Sequence, residues 1–170
     1  MGGSTMELWD AYYRNGSPAG VLLRRGEPVP QGLYHIVPEI LVRHTDGTYL
    51  LMQWHPEKDL FPSCWETTAG GSALRGEDAY TAALRELWEE TDIRAETLQS
   101  LSSAISADTL YYEYLCVTHQ AKDSVRMQEG ETVAYRWVSP QELKAFLSGD
   151  TCIAPQRERF APYFQSQNLL

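Results

Sequence analysis

Residues 70–93 read GGSALRGEDAYTAALRELWEETDI, and this stretch decides the fold. Its second half spaces apolar residues as a helix does when it buries one side against a core. These residues, at i, i+3, i+4, i+7 and i+8, are Tyr80, Ala83, Leu84, Leu87 and Trp88. We therefore predict a helix with this buried stripe, capped by Asp78 after a glycine-containing loop.

Three carboxylates, those of Glu86, Glu89 and Glu90, fall within about one quadrant of that helix, because the helix has 3.6 residues per turn. Like charges at such short separations destabilise a helix unless a cation lies among them. Oxygen ligands without Cys or His suit Mg²⁺ or Mn²⁺, and Mg²⁺ usually shares its ligand shell with substrate phosphates. The patch therefore predicts a metal site for phosphoryl or pyrophosphoryl chemistry, with Ala79 and Ala82 leaving space for a ligand.

Arg85 lies one step around the helix from the carboxylates, and its rigid fork of donors can hold one of them in a single rotamer. Glu77 has two interpretations, a charge favoured at the helix start by the macrodipole or a residue of the site itself. Gly70 and Gly71 form either a simple loop or a point of close backbone approach, which glycine permits because it has no side chain.

The spacing of these residues resembles the Nudix box of the Nudix hydrolase family. That pattern reads Gly, five variable residues, Glu, seven variable residues, then Arg-Glu-aliphatic-any-Glu-Glu-any-Gly-aliphatic. Gly71, Glu77 and residues 85–93 match every fixed position except the last Gly, where this chain has Asp92. The resemblance implies an α/β fold, a Nudix-type α/β/α sandwich with a mixed sheet and, in this chain, an N-terminal strand extension.

The resemblance also implies roles for residues of the box. The carboxylates of Glu86, Glu89 and Glu90 would bind the metal, joined by the carbonyl of Gly70, and Arg85 would orient the carboxylates. Glu86 keeps two roles open, metal ligand or acceptor of a proton from the attacking water. The candidate substrate contacts are Gly71, Glu77 and Trp65.

A further acid from outside the box is expected to act as a base or ligand, because several Nudix hydrolases take one from a distant loop. The candidates are Glu113, Glu129 and Glu131. We choose Glu131, since it belongs to the acidic run before the family's late strand. The alternative interpretation of Glu131 is a solvated loop acid.

Asp92 stands where the family's glycine ends the helix in a left-handed conformation, which costs a non-glycine residue roughly 1 kcal/mol. An acid there also faces the negative end of the helix dipole. We predict that Asp92→Gly stabilises the protein by a few tenths to about 1 kcal/mol and retains activity.

Further apolar, partly alternating runs predict strands. They are residues 36–44, 49–54, 65–68, 98–105, 110–118 and 133–138. The first two flank Asp46-Gly47, a strong hairpin signal. Ser139-Pro140-Gln141-Glu142 then predicts a helix with a capping box and Pro at its first position.

Segments before the box, including Leu33-Tyr34-His35, resemble the part of the family close to isopentenyl diphosphate isomerases. In that enzyme a catalytic Cys follows a Trp, in a segment like Trp-Thr-Asn-Ser-Val-Cys-Gly-His. Here Gly70 occupies the Cys position, and Cys64 precedes the corresponding Trp65. Hydrolysis is therefore favoured, with isomerisation as the alternative.

The chain has 170 residues and a net charge of −9 at pH 7. Its length and even composition predict a single domain over residues 1–170, with residues 1–5 a tag remnant or a loose tail. No apolar run approaches the roughly 20 residues of a membrane span and no signal peptide is evident, so we expect no membrane partner and a cytoplasmic location. Without Lys/Arg clusters, a nucleic-acid polymer is not an expected partner. A homodimer is left open.

These features together predict a Mg²⁺-dependent hydrolase, with Mn²⁺ able to substitute, that acts on a small-molecule diphosphate. The expected reaction cleaves the pyrophosphate bond of a nucleoside diphosphate linked to another moiety. The non-enzymatic alternative is a sensor that binds a nucleotide sugar or a similar diphosphate without cleaving it. The intact Arg85 and the three carboxylates favour the enzyme.

Overall fold

The computed structural model describes residues 6–150 and 153–170, so the interpretation of residues 1–5 lies outside the described residues. In chain order the elements are β1 (Leu8–Tyr12), β2 (Pro18–Arg24), β3 (His35–His44), β4 (Tyr49–Trp54), β5 (Trp65–Glu66), β6 (Thr68–Gly70), α1 (Ala79–Thr91), β7 (Gln99–Ser106), β8 (Thr109–Thr118), a 3₁₀ turn (Lys122–Ser124), β9 (Thr132–Val138), α2 (Pro140–Leu147), α3 (Ala154–Arg159) and α4 (Ala161–Ser166). None of the described helices is long and apolar enough to cross a membrane.

The main sheet is mixed, as predicted. Within the described ranges it has seven strands, in the order β5-β4-β3-β8-β7, with β6 also paired to β3 and β9 to β4. β3 and β8 run parallel, and the other ladders are antiparallel. The β3–β4 connection is the predicted hairpin, in which the amide of Thr48 donates to Asp46 at 2.9 Å and Gly47 takes a φ of 92°.

Two cores lie on opposite faces of the sheet, because successive side chains of a strand point to opposite sides. Ile36, Ile40 and Val42 of β3 pack with α1 on one face. Leu41 packs with α2 and α4 on the other. The α/β/α sandwich predicted from the sequence is confirmed.

The run 65–68, predicted as one strand, is broken at Thr67. β5 pairs with β4, whereas β6 pairs with β3. The break transfers the chain between neighbouring strands and places Gly70 opposite Glu39 in the β3 ladder. It therefore sets the position at which the glycine loop enters the site.

The predicted helix caps are confirmed. The Asp78 carboxylate accepts the backbone N–H of Thr81 at 2.7 Å. Ser139 and Glu142 form a reciprocal capping box, with distances of 3.2 and 2.7 Å. Both helix starts are therefore fixed by local sequence.

The predicted buried stripe of α1 is only partly correct. Ala83 and Leu87 are fully buried, but Tyr80 and Trp88 are 36% and 45% exposed. The Tyr80 hydroxyl accepts the backbone N–H of Leu98 at 3.1 Å. Small buried side chains allow α1 to approach the sheet closely. The two large aromatic side chains, which each carry a polar atom, therefore lie at the edge of the interface between α1 and the sheet.

The N-terminal extension is a separate two-stranded sheet of β1 and β2. Tyr12 and Tyr34 exchange backbone hydrogen bonds of 2.8 and 2.9 Å. The Trp9 ring stacks on His35, with centroids 4.5 Å apart and planes 12° from parallel. These contacts fix the hairpin, residues 7–25, beside the start of β3, and the Arg25 amide closes it on the Glu7 carbonyl at 3.1 Å.

Candidate active site

Glu86 projects from α1 against the glycine loop and is 9% exposed. A Cβ at Gly71 would lie 2.7 to 2.8 Å from the three carboxyl atoms of Glu86. Such a distance is far below normal van der Waals contact. Gly71 therefore permits the close approach of this carboxylate, the second of the two interpretations of the glycine pair.

Gly70 is also required by a close approach. A Cβ there would lie 2.3 Å from the Pro38 carbonyl oxygen of β3. The Gly70 amide donates to Glu90 at 3.2 Å. The two glycines thus bring two carboxylates of α1 against the backbone of the loop.

Arg85 links the acids of the box. One of its terminal nitrogens, Nη1, donates to Glu86 at 2.7 Å and to Glu89 at 3.1 Å. The other, Nη2, donates to the Ser72 carbonyl at 3.2 Å. These bonds are the contacts that an orienting role for Arg85 requires.

Glu77, named from the sequence as a candidate substrate contact, does not line the cavity that Glu86, Glu89 and Glu90 border. Its carboxylate accepts two hydrogen bonds from Arg85 and one from the Leu74 amide. The Arg85 hydrogen bonds hold the pKa of Glu77 below its usual range. This placement assigns Glu77 to the support of Arg85 and corrects the proposed substrate contact.

Two carboxyls of α1 at the cavity wall, those of Glu86 and Glu90, have raised pKa values. Burial raises the pKa of Glu86, against the opposing effect of Arg85. Burial first, and then the charges of Glu66 and Glu86, raise the pKa of Glu90 well above its usual value. Burial and the neighbouring negative charges therefore disfavour the charged forms of these two acids, and a cation among them would offset both effects.

The donors here are carboxylate and carbonyl oxygens, which suit Mg²⁺ or Mn²⁺. Across residues 6–150 and 153–170, no three Asp, Glu, His or Cys side chains already surround a common ion position. Glu86 and Glu89 are instead turned toward Arg85. The residues fit a divalent cation once these two carboxylates turn toward the cavity.

The carboxylates open into a cavity of about 820 Å³, a size typical of small-molecule sites. Its walls come from the N-terminal hairpin, the glycine loop, α1, the end of β4 and the segment before β9. Its lining includes Glu7, Trp9, Arg25, Trp54, Lys58, Glu66, Gly70, Gly71, Arg75, Glu86, Glu89, Glu90 and Glu131.

Glu66 is a residue of this cavity that sequence reasoning missed. It accepts the indole N–H of Trp54 and, at 2.8 Å, the side-chain amide of Gln156 from α3. Burial raises the pKa of Glu66 to about 7. The available signal was an acid next to Trp65 in a predicted strand, four residues before Gly70.

Trp65, the other proposed substrate contact, lies outside the cavity lining. It packs against the second core, and the Arg136 guanidinium lies 4.6 Å from the centre of its ring. Strand alternation explains the error, since Trp65 and Glu66 point to opposite faces and Glu66 faces the cavity. The aromatic side chain that lines the cavity between β4 and the loop is Trp54.

The space expected above Ala79 and Ala82 is absent from the described structure, because both residues are buried in the core at 8% and 0% exposure. Their small side chains instead let α1 approach β3 and β6. The carboxylates meet the ligand cavity at the edge of this packed interface.

The three acids proposed from outside the box separate in space. Glu131 lines the cavity and forms an ion pair with Lys58. Glu113 is fully buried and shares a face of β8 with Leu115 of the second core, on the opposite side of the sheet from α1. Glu129 is exposed and outside the cavity lining. Glu131 therefore remains the candidate base, and its role stays a prediction.

Comparison with protein families matches residues 33–163 to the NUDIX domain model. An uncharacterized Nudix hydrolase of Listeria monocytogenes is 30% identical over 165 residues, which cover 94% of this chain and 90% of that protein. A Nudix hydrolase of Deinococcus radiodurans is 25% identical over 148 residues, covering 85% and 86% of the two chains.

Solved structures share the fold. A crystal structure of a Deinococcus radiodurans protein superposes with a TM-score of 0.69 at 18% identity, covering 85% of this chain and 91% of that one. A MutT protein from Methanosarcina mazei gives a TM-score of 0.59 at 21% identity, with 79% and 95% of the chains covered.

Proposed function

The chain belongs to the Nudix hydrolase family and is a hydrolase of phosphoric anhydride bonds, and we propose that it cleaves the pyrophosphate bond of a nucleoside diphosphate linked to another moiety in a Mg²⁺-dependent reaction. One observation carries this proposal. Glu86 and Glu90 lie against Gly71 and Gly70 at the wall of a cavity of about 820 Å³. Acids held against backbone in a cavity of that size suit a cation shared with substrate phosphates.

Glu86, Glu89 and Glu90, with the Gly70 carbonyl, would hold the metal ion. When bound, Mg²⁺ or Mn²⁺ supplies Lewis-acid activation of water and neutralises charge on phosphate oxygens. Arg85 limits the rotamers of Glu86 and Glu89 through its hydrogen bonds of 2.7 and 3.1 Å. Fixed carboxylates reduce the reorganisation needed when the substrate enters.

Glu131 accepts the proton from the attacking water in this proposal. The water oxygen forms a bond to one phosphorus as the bond from that phosphorus to the bridging oxygen breaks, and the bridging oxygen leaves with the electron pair. The ion pair with Lys58 fixes the position of Glu131 at the cavity wall. Glu86 is the alternative proton acceptor, since burial raises its pKa.

Trp54 provides an aromatic surface for the base of the nucleoside. Its ring is held by the indole hydrogen bond to Glu66 and by an edge contact to Phe61, with centroids 6.1 Å apart. A ring held in this way can stack on a base with little loss of side-chain freedom. Trp54 takes the place that sequence analysis gave to Trp65.

The isomerase alternative is disfavoured by the position of the cysteines. Gly70 occupies the place of the isomerase Cys, and Cys64 lies outside the cavity lining. The Cys64 carbonyl accepts the backbone N–H of Trp54 at 2.9 Å, which ties this residue to the β4 edge. A thiol at Cys64 therefore does not reach the substrate position.

The test is a screen with Mg²⁺, Mn²⁺ or a chelator over nucleoside triphosphates, nucleotide sugars, dinucleotides and isoprenoid diphosphates. Products are separated by anion-exchange chromatography, because the proposed cleavage yields a nucleoside monophosphate and a phosphorylated second group, with no inorganic phosphate. We expect many turnovers, abolished by the chelator, on a nucleoside diphosphate linked to another group. Product at or below one equivalent of protein supports the sensor. Rearrangement of an isoprenoid diphosphate without hydrolysis supports the isomerase, and fastest hydrolysis of nucleoside triphosphates contradicts the proposed substrate class.

A further inference from the structure

Contacts order the charged and aromatic groups across the cavity. Trp54 lies at one end and donates its indole N–H to Glu66. Glu66 and Glu90 both line the cavity, and Glu66 stands four residues before Gly70 in the chain. Glu90 in turn binds the Gly70 amide at 3.2 Å. The carboxylates of α1 therefore follow Trp54 along the cavity.

The order continues from the carboxylates to the N-terminal hairpin. Glu86 lies against Gly71, and the loop continues from Gly71 to Arg75, beside Leu8 of the hairpin. Glu7 binds Arg25 at 2.7 Å. The carboxylates thus lie between Trp54 at one end and the hairpin, with Arg25, at the other.

The hairpin end of the cavity is firmly held. The Arg75 amide donates to the Leu8 carbonyl at 2.8 Å, and the Gly76 amide donates to the Asp10 carboxylate at 2.6 Å. Leu74 packs beneath the hairpin against Trp9. The hairpin precedes residue 33, where the match to the family model begins. It is therefore a fixed wall of the site that lies outside the residues matched by the family model.

Two arginine side chains at this end of the cavity, Arg25 of the hairpin and Arg75 of the loop beside it, are available to a ligand. The Arg25 side chain is 67% exposed and makes one contact, to Glu7, which leaves the rest of its guanidinium free. The Arg75 guanidinium has no hydrogen bond or ion pair to any residue of 6–150 or 153–170. Both line the cavity.

We propose that Arg25 and Arg75 bind a phosphate monoester on the moiety that the diphosphate links to the nucleoside. The substrate class is then a nucleoside diphosphate joined to a phosphorylated group. This inference rests on the proposed function, because the nucleoside at Trp54 and the scissile diphosphate at the carboxylates leave the distal moiety at the hairpin.

A phosphate monoester fits these arginines better than a neutral hydroxyl group. It carries about −1.5 to −2 charge at pH 7 with three acceptor oxygens. The guanidinium fork forms paired hydrogen bonds with such oxygens. Glu7 keeps Arg25 at the wall but repels the phosphate, so Arg75 is expected to contribute more to binding than Arg25.

The experiment compares UDP-glucose with the same compound phosphorylated at the glucose 6-hydroxyl, by steady-state kinetics with Mg²⁺ and by titration calorimetry with Ca²⁺ in place of Mg²⁺. The variants are Arg75→Gln and Arg25→Gln. Arg24→Gln is the matched control, since Arg24 is adjacent in sequence, exposed and outside the cavity lining.

For the wild type and Arg24→Gln we expect about tenfold tighter binding, and lower KM, for the phosphorylated compound. Arg75→Gln should remove most of that preference and Arg25→Gln part of it, with UDP-glucose changed less than about twofold. The inference would be overturned if the wild type bound the two compounds equally. It would also be overturned if Arg75→Gln lowered the affinity for both compounds by the same factor. Tight, arginine-dependent binding of the phosphorylated compound without hydrolysis would support it while the proposed function fails.

Discussion

Arg85 and Glu77 are joined by two parallel hydrogen bonds, 2.7 Å from Nε to Oε1 and 2.8 Å from Nη2 to Oε2. The pair leaves Nη1 of Arg85 for Glu86 and Glu89. Glu77 therefore acts on the site through Arg85, although it lies outside the cavity lining.

Glu77→Gln should lower kcat by about tenfold or more while KM changes less than about threefold, because the loss falls on alignment and not on substrate contacts. Stability should fall by about 1–2 kcal/mol, as expected for weakened hydrogen bonds between charged groups. Asp78→Asn, which retains a capping side chain next in sequence, is the control and should keep both values. A raised KM with unchanged kcat would restore the direct substrate contact.

Asp92 adopts the predicted left-handed conformation, with a φ of 59°. Its carboxylate also accepts the indole N–H of Trp88 at 3.0 Å, a partner that the sequence prediction did not include. We now expect Asp92→Gly to change the free energy of unfolding by less than about 0.5 kcal/mol, because relief of strain offsets loss of the hydrogen bond. In a Trp88→Phe background the same substitution should stabilise by about 0.5–1 kcal/mol, measured by urea unfolding. Equal effects in both backgrounds would show that the hydrogen bond contributes nothing.

Glu113 predicts a pH-dependent stability effect. Burial, followed by the charge of Glu39, raises its pKa to about 6 from an ordinary value of 4.5. A raised carboxyl pKa favours folding while the group is protonated, so that stability is present below pH 4.5 and is lost as the pH rises through 6. Glu113→Gln should therefore be more stable than wild type at pH 7 by about 1–2 kcal/mol, with the difference disappearing near pH 4. Chemical unfolding across this range tests the sign, and a lower stability at pH 7 would contradict it.

The position of Glu131 makes a prediction about kcat. Glu131→Gln should lower kcat with little change in metal affinity if this residue is the base. Glu129→Gln is the matched control, because Glu129 is two residues away, exposed and outside the cavity lining. Wild-type kinetics for Glu131→Gln together with a strong loss for Glu129→Gln would transfer the role to Glu129.

Local sequence was sufficient for much of the fold. β4 begins and ends where its apolar run does, and α1 begins at the predicted cap, since both depend on periodicity and a neighbouring polar side chain. The carboxylates of the box could also be predicted to share one patch, because helix geometry fixes their relative directions.

The walls of the cavity could not be predicted in the same way, because they depend on contacts between distant residues. The Gly76 amide meets Asp10, which is 66 residues away. The sequence named Trp65 and not Glu66, and a strand as short as β5 gives no sign of which face it buries. A pattern shows alternation, but only packing decides which side chain reaches the cavity.

The most direct test of the central claim is the turnover of Glu90→Gln on the best diphosphate from the Mg²⁺ screen. Glu90 binds the Gly70 amide at the cavity wall, and glutamine can keep that contact through its carbonyl oxygen while losing the charge that holds the metal. We predict an unchanged fold by circular dichroism and melting temperature, with turnover reduced by at least ~10². Turnover equal to that of the wild type, in a folded Glu90→Gln protein, would contradict the account.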